Sequence, residues 1–439
     1  MESKNRSLAP GRHAALNGSR VFETRLKNGL IVLLKEVRSA PVTTWWVWYR
    51  VGSRNEVTGR TGSSHWVEHM MFKGTRRFPA NILDKAIARD GGIWNAMTWI
   101  DWTTYFETMP ADKIDLGLRL EADRMTRSLF PPKDVASERT VIISERQGHE
   151  NSPSFLLSEQ VHAVAFRVHP YRHEVIGDQA DLETMTRDDL YGHYRAHYAP
   201  NNAVAVAVGD FKTRAMLSRI KELYGRIPAG PPMPPVRRAE PAQKGERRVL
   251  VEGEGQTAYV QFAYHAPPAT DPDFYPMVAL DSIMAGAGSL NMFGGGISNK
   301  SSRLYKALVE TELAASVGGS LIATVDPYLY GLSAVVRSGH TLEEVERALD
   351  EQVEHIIAEP VSPEELAKAL KQAKAMFVYS SESVTNQGFW LGYTEIFDTH
   401  DWFDRYLDRL SAVSVDEVHA AAAKYLAPRN RTVGHYRPM

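Results

Sequence analysis

Residues 226–235 read Arg-Ile-Pro-Ala-Gly-Pro-Pro-Met-Pro-Pro. Proline fixes φ and has no N–H to donate, so a run this dense can join neither a helix interior nor a central strand. It forms an extended connector. A chain of 439 residues is also too long for one core. We therefore divide it into a polar tail at 1–19, a first domain at 20–228, a proline-rich connector at 229–247 and a second domain at 248–439.

Each flank reads as α+β. Val21 to Leu26 and Leu30 to Lys35 alternate around Asn28-Gly29, a strong hairpin signal. Val42 to Val51 is a third strand, rich in β-branched and aromatic residues. A helical segment follows, then strand-like Thr103 to Thr108, then helical stretches to about residue 225. Beyond the connector, Val249 to Glu252 and Ala258 to Tyr264 read as strands and Pro276 to Met284 as a helix. The two halves end alike. Thr186-Arg-Asp-Asp189 and Ser414-Val-Asp-Glu417 each have the form of a capping box, a hydroxyl followed three residues later by a carboxylate. Their helices run to Tyr198-Ala-Pro-Asn-Asn202 and to Tyr425-Leu-Ala-Pro-Arg-Asn430. The expected fold is two homologous α+β domains, each a mostly antiparallel sheet covered by helices.

Bulk properties narrow the function. A formal net charge of −2 gives no reason to expect a nucleic-acid partner. With no cysteine, any metal must be held by His, Asp or Glu. No apolar run approaches the roughly 18 residues of a membrane span. Met1 to Arg20 lack the apolar core of a signal peptide. That fits the cytoplasm and leaves the periplasm open.

The segment that carries chemistry is Gly62-Ser-Ser-His65-Trp-Val-Glu68-His69-Met-Met. As a helix it places His65 and His69 one turn apart on one face, able to grip one ion. Glu68 borders that face without having to be a ligand. Val67, Met70 and Met71 would face the core. His-x-x-Glu-His is the reversed form of the better-known zinc-protease motif. A catalytic zinc needs a third protein ligand and an open fourth position. Glu138 and Glu145 lie two helical turns apart on a segment that Val141, Ile142 and Ile143 make largely buried. Glu145 is the best third ligand, with Glu138 counted in the catalytic set as the carboxylate that orients a ligating histidine. The alternative is that both carboxylates pair with Arg139, Arg146 or other basic residues.

With these motifs in order, the sequence resembles the pitrilysin/insulinase family of zinc peptidases, in its short-chain branch with mitochondrial processing peptidase and bacterial relatives. Val51-Gly-Ser-Arg-Asn-Glu56, Phe72-Lys-Gly-Thr75, Gly91-Gly-Ile-Trp-Asn95-Ala96, His169-Pro-Tyr171 and Tyr198-Ala-Pro-Asn-Asn202 carry the likeness alongside the histidine motif. The resemblance implies a zinc-dependent endopeptidase with Glu68 as general base and one zinc per chain on His65, His69 and Glu145. It also implies that peptide adds as a strand beside the metal, with Asn95 and Ala96 as substrate contacts. Trp94, Trp99 and Trp102 either line a pocket or pack between the halves.

The second half has no histidine motif. In active relatives an Arg and a Tyr polarise the substrate carbonyl; here those positions fall near Val309 and Ala315. Arg303 and Tyr305 read as structural. The resemblance therefore implies a heterodimer with a homologous zinc-less subunit that supplies the pair, and possibly a homodimer when the chain is alone. Gly286 to Gly296 is either a substrate loop at that junction or a flexible linker. The rival readings are a non-catalytic core-type subunit of a larger complex and a non-proteolytic metal-binding protein. His149, His162, His173, His193 and His197 lack a second ligand at useful spacing.

Overall fold

In the computed structural model, residues 13–16, 19–290 and 300–439 are described. The strands are β1 (His13–Leu16), β2 (Ser19–Arg25), β3 (Ile31–Glu36), β4 (Val42–Tyr49), β5 (Ile93–Thr98), β6 (Thr103–Pro110), β7 (Ala203–Gly209), β8 (Arg247–Gly253), β9 (Tyr259–Ala266), β10 (Ala314–Ser320), β11 (Tyr328–Val336) and β12 (Arg431–Pro438). They form two sheets, ordered β1-β2-β3-β7-β4-β6-β5 and β10-β11-β9-β12-β8. Read from its β8 edge, the second sheet has the same five-strand order as β3-β7-β4-β6-β5. In each, one outer pair is parallel, β3 with β7 and β8 with β12, and the rest are antiparallel. The halves are thus homologous in topology as well as in their final helices. Both capping boxes form: the Thr186 and Ser414 hydroxyls accept from the amides of Asp189 and Glu417, whose carboxylates accept from the cap amides at 2.9 and 2.8 Å.

Helical reading up to residue 225 is corrected at β7. Ala-Val-Ala-Val-Ala-Val-Gly is buried along its whole length between β3 and β4. A strand covered on both faces carries an unbroken apolar run, so the alternation that marks a half-exposed strand is missing. The β2–β3 hairpin is present, with Gly29 at φ 93° in its turn. Asn28 donates from that turn to the carbonyls of Tyr224 and Ile227, at 2.8 and 2.9 Å, where the proline-rich stretch begins.

The stretch 228–244 has no regular structure but is tied down. The Glu240 carboxylate accepts from the amides of Arg167, Val168 and His169 at 2.8, 2.9 and 3.0 Å. Gln243 donates to the Arg431 carbonyl at 2.6 Å.

The halves cover each other. The helix Pro153–Ala165, from the first half, lies on β8, β9 and β12. The helix Val384–Phe397, from the second half, lies on β4 and β7. One hydrophobic cluster accordingly holds Trp46, Trp48, Trp102, Val204 and Val206 together with Phe262, Phe389, Trp390 and Tyr393. Close approach needs glycine at each crossing. A Cβ on Gly392 would lie 2.0 Å from Trp48 Nε1, and one on Gly434 of β12 would lie 2.4 Å from Val161 Cγ2. Among the described residues, no helix is long and apolar enough to cross a membrane.

Candidate metal centre

The histidine motif is helical over Ser63–Met71, with Val67, Met70 and Met71 fully buried. Gly62 precedes it at φ 83° and has no side chain to cap it. Orphan N–H groups at a helix start need an acceptor. Glu56 supplies one from a distance, its two carboxylate oxygens accepting from Gly62 N at 2.8 Å and Ser64 N at 2.7 Å. His173 lies 3.3 Å from Glu56, and His193 Nε2 lies 3.1 Å from Ser64 Oγ. These residues hold the first turn of the motif helix in place. Sequence reasoning left Glu56 without a role; an uncapped helix start just downstream of a carboxylate is the signal that points to it.

The ligand candidates converge. His65 Nε2 and His69 Nε2 are 3.2 Å apart, and Glu145 Oε2 lies 3.9 Å from the first and 3.7 Å from the second. Donors about 2.0–2.1 Å from a tetrahedral zinc stand about 3.3 Å from one another. The set therefore fits zinc with small adjustment, using the two nitrogens and one oxygen such sites prefer. Among the described residues, it is the only trio of His, Asp or Glu atoms that close.

The helix Pro132–Glu150 carries both carboxylates, but it is not largely buried: of its residues only Val135, Glu138, Ile142 and Arg146 are. Ile142 is buried while Val141 is 47 % exposed. Glu138 Oε1 sits 2.8 Å from His69 Nδ1, and Lys73 pairs with its other oxygen. Arg139 and Arg146 are engaged elsewhere, with the Met185 carbonyl and with Glu159. Neither neutralises Glu138 or Glu145.

Electrostatics suit a cation. Burial, reinforced by His69, pushes His65 down to about 3, so it is a neutral donor. Burial opposes a charge on His69, but the Glu138 hydrogen bond and the nearby carboxylates outweigh it and raise its pKa. Burial raises Glu138, yet its bonds to His69 and Lys73 hold it below the usual carboxylate range. Glu68 is buried and pushed up to about 7, chiefly by desolvation. Its Oε2 accepts from Thr98 Oγ1 at 2.6 Å.

Thr98 ends β5, which among the described residues pairs only with β6 and leaves its other edge free beside the motif helix. On that strand Asn95 is exposed and Ala96 buried, and the Asn95 side chain accepts from the Ala96 amide at 2.9 Å. Trp94 packs tilted against Phe72, with ring centroids 4.8 Å apart, and donates to Asp84. Trp102 is core, packed 4.9 Å from Trp48, and Trp99 is half-buried against the same cluster.

The first-half motif matches the family model described as "Insulinase (Peptidase family M16)" over residues 31–179, which include the whole trio and Glu68. A second model, "Peptidase M16 inactive domain", matches residues 184–373. The chain belongs to the insulinase family of peptidases, M16. Its M16 relatives match over nearly all of its length. A probable mitochondrial-processing peptidase subunit beta of Arabidopsis thaliana is 27% identical over 95% of this chain and 78% of its own. The zinc protease PqqE of Helicobacter pylori is 28% identical over 94% and 92%. The crystal structure of a protease from Helicobacter pylori superposes with a TM-score of 0.88 at 25% identity, covering 98% of this chain and all of that one.

In the second half Arg303 makes a two-pronged pair with Glu365 at 2.9 and 2.7 Å. Tyr305 packs against the core. Val309 closes a π-helical turn, Tyr305–Val309, and Ala315 lies on β10 where its register with β11 shifts. Of the glycine-rich run, residues 291–296 lie outside the described residues.

Proposed function

We propose that this chain is the zinc-bearing subunit of a metalloendopeptidase. The observation that carries it is the convergence of His65, His69 and Glu145 beside a buried Glu68. When bound, zinc supplies a Lewis acid that acidifies water and polarises a carbonyl. His65, His69 and Glu145 would hold one ion per chain. Glu138 fixes His69 by its Nδ1 and leaves Nε2 to the metal. Thr98 occupies Oε2 of Glu68, so Oε1 is the oxygen that takes a proton from the attacking water. Glu68 then returns it to the leaving amine. A peptide adding to the free edge of β5 would run past Asn95 and Ala96.

The side chains of Val309 and Ala315 have no donor for a developing oxyanion, so the reading includes a homologous zinc-less partner that brings an Arg and a Tyr. One relative named above is itself named as a subunit. A purely structural role is less well supported, because it gives no reason for three ligands and a base to stay assembled.

Metal analysis and peptide cleavage test this together. Wild-type protein should bind about one zinc and cleave slowly alone. A partner carrying the Arg–Tyr pair should raise the rate at least about a hundredfold, the scale of one oxyanion donor. Glu68→Gln should keep zinc and abolish the gain; Glu145→Gln should lose most of the zinc. Wild-type cleavage by Glu68→Gln would overturn the mechanism. Fast turnover by the chain alone would overturn the partner.

A further inference from the structure

The chain as a whole is slightly acidic, with a formal net charge of −2. A cavity of about 560 Å³, however, is walled by five arginines and only two acids. The arginines come from separate elements. Arg77 lies in the turn after the motif helix, Arg119 and Arg127 on the helix Asp115–Arg127, Arg195 on the helix Arg187–His197, and Arg226 where the proline-rich stretch starts.

Both acids are already matched. Asp123 holds Arg127 at 2.7 Å, and Glu222 holds Arg219 at 2.7 Å. Arg119 is 3.1 Å from Asp115. Among the described residues, that leaves Arg77, Arg195 and Arg226 with no carboxylate at ion-pair distance. Three unmatched guanidinium groups around one concavity repel each other, and the two acids of the wall leave a net positive charge there. Field lines from like charges concentrate in a cleft with low-dielectric walls. Planar guanidinium forks match the oxygens of phosphate and carboxylate two at a time. The volume falls in the range of small-molecule sites.

We infer that this cavity binds a small ligand bearing several oxyanion groups, gripped by Arg77, Arg195 and Arg226. The ligand would tie the motif-helix turn, the helix Arg187–His197 and the start of the proline-rich stretch to one another. It would therefore stabilise the folded chain by mass action. The site is separate from the metal trio and independent of the proposed peptidase reaction.

Two probes separate the sources of such oxygens, inorganic triphosphate and citrate. Calorimetric titration and thermal melting are run on the full zinc-loaded chain at low and at high salt. At least one probe should bind, raise the melting temperature, and lose affinity as salt rises. Binding of triphosphate alone assigns a phosphorylated ligand; equal binding of citrate assigns a polycarboxylate. Arg195→Gln/Arg226→Gln, both exposed and outside the metal centre, should weaken binding at least tenfold with the fold intact by circular dichroism. Arg172→Gln/Arg237→Gln, in the neighbouring cavity of about 620 Å³, should leave it within twofold. Three results would overturn the site: neither probe binding, the first double variant binding like wild type, or the second losing as much as the first.

Discussion

Two buried carboxyls in this molecule are both pushed up to about 7, for the same cause and with different consequences. Glu68 sits beside the trio, where a cation would draw it back toward its ionised form. Asp281 lies in the middle of the largely buried helix Phe274–Met284, where burial raises it and outweighs a hydrogen bond with Tyr330. Its Oδ1 finds no hydrogen-bond partner among the described residues, and Gly319 leaves it room, since a Cβ there would stand 2.1 Å from that oxygen. A carboxyl whose folded pKa exceeds its unfolded value contributes its full stability below the unfolded value. That contribution is lost as pH rises through the folded pKa. For Asp281 the window runs from about 4 to about 7. Asp281→Asn should therefore gain on wild type by about 2–3 kcal/mol between pH 5 and pH 8. Urea unfolding at the two pH values measures it; a constant difference would show that the carboxyl is not held protonated. The convergence of His65, His69 and Glu145 was legible because four-residue and seven-residue spacings fix a helix face before any fold is known. Asp281 was not, since an acid inside an apolar helix shows its burial only once the neighbouring strands are in place.

At the level of elements, local chemistry and distant packing divide what the sequence discloses. The hairpin at Asn28-Gly29 and both capping boxes are written in adjacent residues and form as expected. Strand β7 is not, because its apolar run reflects cover from both sides. Val141 misled in the other direction: an aliphatic residue between two acids reads as core, yet it is exposed while Ile142 beside it is buried. The glycines of the crossing helices also depend on distant partners. Gly392→Ala should lower stability by about 1–3 kcal/mol, since the new methyl must displace Trp48 in a packed core. Gly148→Ala, in the helix Pro132–Glu150 with nothing within 4 Å of its Cβ, should stabilise by up to about 1 kcal/mol. Parallel denaturation curves of the two variants check both signs. A neutral Gly392→Ala would mean that the helix and strand can separate at no cost.

For the whole molecule, topology confirms what two short capping motifs suggested, that one α+β unit occurs twice. The mutual cover of the halves was legible only as one of two readings of Trp99 and Trp102, because no local pattern says which sheet a helix will choose. It also changes what the proline-rich stretch does. A connector between independent bodies would let them part once cut. Here each half gives up a helix to the other's sheet, and Phe389 packs against Trp46, Trp48 and Trp102 with ring centroids 5.9, 5.1 and 6.0 Å apart. Cleavage engineered between Pro232 and Met233 should leave a particle of unchanged size in gel filtration. Its pieces should separate only in denaturant, and either piece expressed alone should aggregate. Separation in plain buffer would refute the mutual cover. A nicked chain would instead behave as a non-covalent heterodimer of its own two fragments, with its affinity set by the exchanged helices.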